Sequence, residues 1–203
     1  ENVLAVQTAS EGSDLLVIGG MEITSREEIH VLGLFPDNKP LFDVQNIIYR
    51  NLPGENTESA FGSQWIVDPE DYVVNKCDRL LAGACELALN ESVHLIHEQG
   101  GMVIASHVDR PVYSVISQLG FIPEDICFDA LEITGNESDF QESFYGFSTS
   151  GKPDISRPPL IKSSDAHYPE DIGKRRTFVR MKDKSFPELV KAFAKKENRE
   201  VMT

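Results

Sequence analysis

The sequence predicts an α/β fold with parallel strands. Short apolar runs of strand length alternate with longer stretches of helical periodicity, and several of those runs end at glycine or at a residue able to bind a metal. At 203 residues the chain is long enough for one substantial domain, burying roughly 70% of its unfolded surface.

In chain order, Leu15-Leu16-Val17-Ile18 reads as a short buried strand stopped by Gly19-Gly20. Residues 29–35 (I-H-V-L-G-L-F) form the next, with His30 near its start. Asp43 to Arg50 has the pattern of a short amphipathic helix with Asp43 as its N-cap. Residues 52–64 are polar and contain Gly and Pro, a loop long enough to be functional. From Pro69 to Leu89 the periodicity is helical, and a second helix follows, capped by Asn90 and closed by Gly100-Gly101. Met102 to Ser106 is a buried strand that runs directly into His107. Tyr113 to Leu119 reads as helix, Ala130 to Thr134 as strand and 137–146 as helix. A Pro-rich loop over 153–159 leads to a strand at Leu160-Ile161, and Arg176 to Met181 makes the last strand. Ser185-Phe-Pro-Glu188 is a capping-box start for a terminal helix reaching about Lys196.

The formal net charge is −14, with an isoelectric point near 4.7. Such a field repels phosphate backbones, which argues against long nucleic acid as a partner and for small phosphorylated compounds. A basic strip (Lys174, Arg175, Arg176, Arg180) is placed to offset this locally, although a basic run is most often a solvated face. No apolar run approaches the ~18–20 residues of a membrane span, and no secretory segment is present. Cys77, Cys85 and Cys127 are an odd set without a C-x-x-C pair; on one helix Cys77 and Cys85 would stand roughly 12 Å apart, too far for a disulfide. They read as small buried residues in a reducing, cytoplasmic setting.

The residues with chemistry lie near strand ends. Asp165 and His167, in I-K-S-S-D-A-H-Y-P (161–169), are one residue apart after an apolar run, and in an extended segment both would face one point. Glu22 follows Gly19-Gly20, His30 opens the next strand, and His107 closes another. In parallel sheets and barrels the carboxyl ends of strands share one crevice, so these five are the candidate ligands. Three imidazoles with two carboxylates suit Zn, Mn or Fe better than Ca or Mg. Each also has a bland reading, as a turn acid or a satisfied histidine, and His94 and His97 read as ordinary helix residues because no H-E-x-x-H accompanies them.

Four segments, G-G-M-E-I-T (19–24), E-E-I-H-V-L-G-L-F (27–35), G-G-M-V-I-A-S-H (100–107) and S-S-D-A-H-Y-P-E-D-I-G (163–173), together resemble the PHP family in its order. That domain is shared by bacterial replicative polymerases and histidinol phosphatases. The resemblance covers most of the chain and implies a PHP domain over 1–182, with 183–203 as a C-terminal helix and tail. It implies a distorted seven-stranded (βα) TIM-like barrel with two or three divalent metal ions at the strand carboxyl ends. Glu22 would bridge, His30 and His107 would help hold one ion, and Asp165 and His167 would complete the other positions. The implied activity is hydrolysis of phosphate mono- or diesters of small metabolites, nucleotides or oligonucleotide ends, with a metal-activated hydroxide attacking phosphorus. Arg110 sits near His107 as a candidate contact for the substrate phosphate.

Two departures qualify the resemblance. The family's opening H-x-H and T-D-H motifs are missing, and the chain begins at Glu1, so it is expected to lack the first two strands and up to four ligands. Val108 stands where the family usually has proline. The alternatives are a PHP-like module kept for structure or partner contact, and an amidohydrolase-type barrel, disfavoured because no lysine is placed like that family's bridging one.

Overall fold

Residues 1–141 and 157–202 are described by a computed structural model of the chain. The elements begin with α1 (Val3–Ala9), β1 (Gly20–Thr24), β2 (His30–Leu34), α2 (Asn38–Arg50) and α3 (Glu58–Phe61). Then come β3 (Trp65–Val67), β4 (Val73–Lys76), α4 (Leu89–Glu98), β5 (Met102–Ala105) and α5 (Val115–Leu119). The last are β6 (Ala130–Glu132), α6 (Glu137–Phe140), β7 (Leu160–Ile161), β8 (Phe178–Arg180), α7 (Phe186–Phe193) and β9 (Glu200–Met202).

Five strands form the central sheet in the order β1-β2-β5-β6-β7, while β3-β4 and β8-β9 are two small separate sheets. The β1–β2 and β2–β5 pairs are antiparallel; β5–β6 and β6–β7 are parallel. The expected seven-stranded TIM-like barrel is therefore corrected to an open mixed sheet with β1 and β7 at its edges, and among the described residues no barrel closes. The reason lies in connection length. Only residues 25–29 separate β1 from β2, far short of the dozen or more that a parallel crossover needs, so this pair must fold back on itself. The connections β5–β6 and β6–β7 are long enough to cross over, and these pairs are parallel.

The 25–29 turn is held at both ends. Ser25 N donates to Ile29 O at 2.9 Å, and the Ser25 hydroxyl donates to Glu27 Oε2 at 2.8 Å. The same Glu27 oxygen accepts from Leu89 N at 2.8 Å, satisfying an orphan amide at the start of α4 with a carboxylate suited to the positive end of the helix. Thus the turn that sets β1 against β2 is tied to the helix covering the sheet.

Both sheet faces are buried along β5, all four of whose residues are inaccessible, as a central strand requires. One face carries Ile23, Val31, Val103 and Leu131 against Leu41, Val44, Val93 and Ile96 of α2 and α4. The other carries Met102, Ile104, Ala130 and Ile161 against Phe186 and Phe193 of α7. Helix α4 lies so close that a Cβ on Gly101 would stand 2.7 Å from Ile96 Cγ2 and 2.9 Å from Leu34 O. Only glycine fits that approach.

Several expected elements move. Residues 15–18 form no strand, Leu15 and Leu16 are exposed, and the strand begins at Gly20, so Glu22 sits mid-strand instead of after a turn. Helix α2 starts earlier, with Asp37 accepting from Lys39 N at 2.9 Å as the true cap. Asp43 lies inside it and pairs with Lys39 at 2.6 Å. The helix expected over 69–89 is instead the β3–β4 hairpin and a loop: the Val73-Val74 pair is β-branched, and tertiary pairing overrides the periodicity. Cys77 and Cys85 are buried, but Cys127 is exposed, so the small-core reading fails there. Part of the 137–146 helix and of the 153–159 loop lie outside the described residues. No helix among the described residues is long and apolar enough to cross a membrane.

Helix α7 starts with Pro187 in its first turn, yet Ser185 makes no side-chain cap. Glu188 turns elsewhere. Its carboxylate accepts from Arg199 Nε at 2.7 Å and Lys182 N at 2.9 Å, joining α7 to both strands of the β8–β9 sheet's ends. Those bonds, Arg199's foremost, depress its pKa to about 2. Because this lies below the unfolded value of about 4.3, the contribution is present above that pH and is lost as pH falls toward about 2. Glu188→Gln is expected to lower the melting temperature at pH 7, with the gap to the parent protein closing through this acid window in paired thermal melts. In the core, Ile96→Ala is expected to cost about 2–5 kcal/mol in urea unfolding, since Ile96 is fully enclosed between α4 and the sheet.

Candidate metal centre

The β1–β2 register places Thr24 opposite His30 and Glu22 opposite Leu32. Glu22 and His30 are thus diagonal neighbours on one face, within reach of each other. His107 arrives from the far side of β2. Val31 pairs with Ala105, and Ser106 N donates to His30 O at 3.2 Å, so the chain leaving β5 passes the start of β2. There it turns sharply, His107 taking φ +32°, a conformation that costs energy for a non-glycine residue.

The result is a compact trio. Glu22 Oε2 lies 3.5 Å from His30 Nδ1, and Glu22 Oε1 lies 3.8 Å from His107 Nε2. The two rings meet edge to face at 5.2 Å. A ligand-capable atom from each residue lies within 4.8 Å of the others. His30 Nδ1 and His107 Nδ1 are buried and have no hydrogen-bond partner. Ligands at about 2.0–2.1 Å around a tetrahedral ion stand roughly 3.3 Å from one another, so these spacings suit atoms sharing a cation better than atoms bonded to each other. The donor set of two imidazoles and one carboxylate fits a borderline divalent metal and leaves a coordination position open.

The electrostatics agree. Burial pushes the His30 pKa down; Glu22 opposes this, and the neighbouring His107 adds to it. A depressed pKa keeps the imidazole neutral, the form that binds a metal. The ring is also fixed in place, stacked on Tyr113 at 4.8 Å, while His30 N donates to Tyr113 O at 3.0 Å.

Asp165 and His167 are placed differently. Asp165 takes φ +45° and follows a β7 of only two residues, so the extended geometry that would aim both side chains at one point is absent. Its Oδ2 accepts from Arg110 Nη1 at 2.8 Å, and its charge is felt at His30. His167 is exposed, its Nδ1 lying 3.0 Å from the carbonyl of Asp165. Neither joins the converging trio. Arg110 stands beside the site, its guanidinium shared with Asp165 and its amide donating to His107 O at 2.9 Å. His94 and His97 are ordinary helix residues, paired with Glu98 at 3.0 Å and Asp129 at 2.9 Å.

Two acids were missed. Glu132, at the end of β6, is buried, accepting from His107 N at 3.2 Å through one oxygen and from the Ser163 hydroxyl through the other. Asp109 accepts from Thr134 N at 2.8 Å and Gly135 N at 2.6 Å, joining the loop after β5 to the loop after β6. The available signal for Glu132 was an acid set among the apolar residues Ala130, Leu131 and Ile133 of an expected buried strand, a position where a carboxylate needs partners.

No family model matches the chain, and a search of curated proteins finds no match. Among solved structures it resembles the lesion-specific endonuclease Q of Pyrococcus furiosus, with a TM-score of 0.62 at 16% identity, over 90% of this chain and 40% of that one. It also resembles endonuclease Q in complex with a 27-mer duplex substrate carrying an abasic lesion at the active site, with a TM-score of 0.61 at 19% identity, over 89% of this chain and 40% of that one. The likeness is one of fold, shared with part of endonuclease Q. The chain spans about 40% of the length of these neighbours. The expectation against long nucleic acid as a partner is overturned by the duplex-bound neighbour. That expectation rested on a net charge summed over the whole chain, whereas binding responds to the local field.

Asp109 gives a test of the loop geometry independent of any ligand. Asp109→Ala frees the amides of Thr134 and Gly135 and is expected to cost about 1–3 kcal/mol in chemical denaturation.

Proposed function

We propose that this chain carries the catalytic site of a metal-dependent phosphodiesterase acting on nucleic acid. The observation that carries the reading is the convergence of Glu22, His30 and His107, with the buried His30 Nδ1 facing Glu22 and lacking a hydrogen-bond partner. The PHP-like fold, shared with an endonuclease, supports the same reading.

Glu22, His30 and His107 would hold a Zn, Mn or Fe ion, which supplies Lewis-acid polarisation of the phosphate and activation of water. The rest of the chemistry falls to the protein's own groups. Burial keeps His30 neutral, and its stack on Tyr113 fixes the ring. Glu132 holds the amide of His107 and so sets where that imidazole stands. The Arg110 guanidinium presents charge beside the trio, and a planar fork of donors matches two oxygens of a phosphodiester. Asp165 orients that fork through its 2.8 Å contact. His167, exposed at the rim, would serve only a second cation.

The test combines metal content with activity. Full-length protein loaded with Zn²⁺ or Mn²⁺ is expected to retain about one or more equivalents after gel filtration and to cleave a labelled DNA oligonucleotide. His107→Ala and Glu22→Gln should each lose metal and reduce cleavage at least ~100-fold, beyond the range seen for residues that only support ligands. Metal content unaffected by either substitution, or full cleavage by both variants, would sink the proposal.

A further inference from the structure

Next to the metal centre lies an open groove of about 460 Å³ formed by residues 134–136 with Lys162, Lys174, Arg175 and Arg176. Its walls continue those of the site. Lys162 precedes Ser163, which donates to Glu132, and Thr134 is pinned by Asp109, the neighbour of Arg110. The Ser164 hydroxyl donates to the carbonyl of Arg175 at 3.0 Å, holding the basic run against the segment that carries Asp165.

Most of the cations in this groove have no acidic partner among the described residues. Lys174 pairs with Asp171 at 2.6 Å, but among the described residues no carboxylate pairs with Lys162, Arg175 or Arg176. In a chain with 33 acidic residues against 19 basic ones, cations left together without acidic partners are unexpected for a solvated face. Arg180, part of the same strip in sequence, shows the contrast: it is paired with Glu200 at 2.8 Å and does not line the groove. Small-molecule sites are lined mainly by apolar side chains. This lining has none larger than the methyl of Thr134, and it concentrates more positive charge than a single phosphodiester would balance.

We propose that this groove is a track for the nucleic-acid backbone, in which Lys162, Arg175 and Arg176 hold successive phosphates of the strand that enters the metal centre. The inference rests on the nucleic-acid reading of that centre and adds where the strand runs. It also accounts for polynucleotide binding by a chain of net charge −14: the groove supplies a local positive field, and counterion release supplies the binding free energy.

The experiment is fluorescence anisotropy of full-length protein with labelled single-stranded and duplex DNA across a salt series. Arg175→Gln/Arg176→Gln and Lys162→Gln are compared with the parent, with thermal melts to establish folding. Each cation removed is expected to lower the slope of log K against log salt by about 0.7 on single strands and 0.9 on duplex, with affinity falling in step. Arg180→Gln, at a cation outside the groove, should bind DNA with the parent's slope. Unchanged slope and affinity in folded groove variants would overturn the track, as would displacement of DNA by inorganic phosphate as effectively as by an oligonucleotide. The two readings separate cleanly. Groove-dependent binding without cleavage overturns the catalytic proposal alone, and cleavage with groove-independent binding overturns this one alone.

Discussion

The five-residue turn between β1 and β2 is the constraint on which the site depends. Being too short for a crossover, it sets the two strands antiparallel, and that register brings Glu22 diagonally onto His30. Because β2 in turn runs antiparallel to β5, the start of β2 lies beside the end of β5, where His107 emerges. Three residues separated by 85 positions in sequence thereby meet at one point. Glu27 ties this turn to α4, so the packing of the helix on the sheet and the geometry of the site are mechanically one unit.

The site itself is a collection of unfavourable arrangements maintained by the surrounding structure. His107 and Asp165 have positive φ, His30 and His107 each bury a nitrogen without a partner, and Glu132 is a buried acid. Such costs persist only where the framework over-determines them. Here the framework is the fully buried β5, the tight approach of Gly101 to Ile96, and the hydrogen bonds that Glu132 and Asp109 accept. Strain and unsatisfied polarity are thus concentrated at one end of one sheet.

The charge distribution separates two roles. Acidic residues dominate the chain as a whole, yet the groove beside the candidate metal centre gathers Lys162, Arg175 and Arg176, which pair with no carboxylate among the described residues. Whole-chain charge does not describe this local arrangement; the Lys174-Arg175-Arg176 run, read in the sequence both as a local offset to the acidic field and as a solvated face, lines the groove.

Much of the site was legible from residue type and order. The alternation of strand and helix patterns, the buried run ending in His107, and the candidacy of Glu22 and His30 could be read directly, because strand burial and ligand chemistry are local properties. The antiparallel β1–β2 pair was not legible, because the first strand was expected at 15–18 and only its true position at Gly20–Thr24 makes the connection short. What only the tertiary structure decided was long-range. It set which strands pair and in what direction, that 69–89 forms a hairpin and loop instead of a helix, and that Asp165 serves Arg110 instead of standing with the trio. It also revealed Glu132 and Asp109, whose partners lie 25 or more residues away. Sequence patterns report the period of burial along one segment. They carry little information about register between distant segments, and this site is assembled from that register.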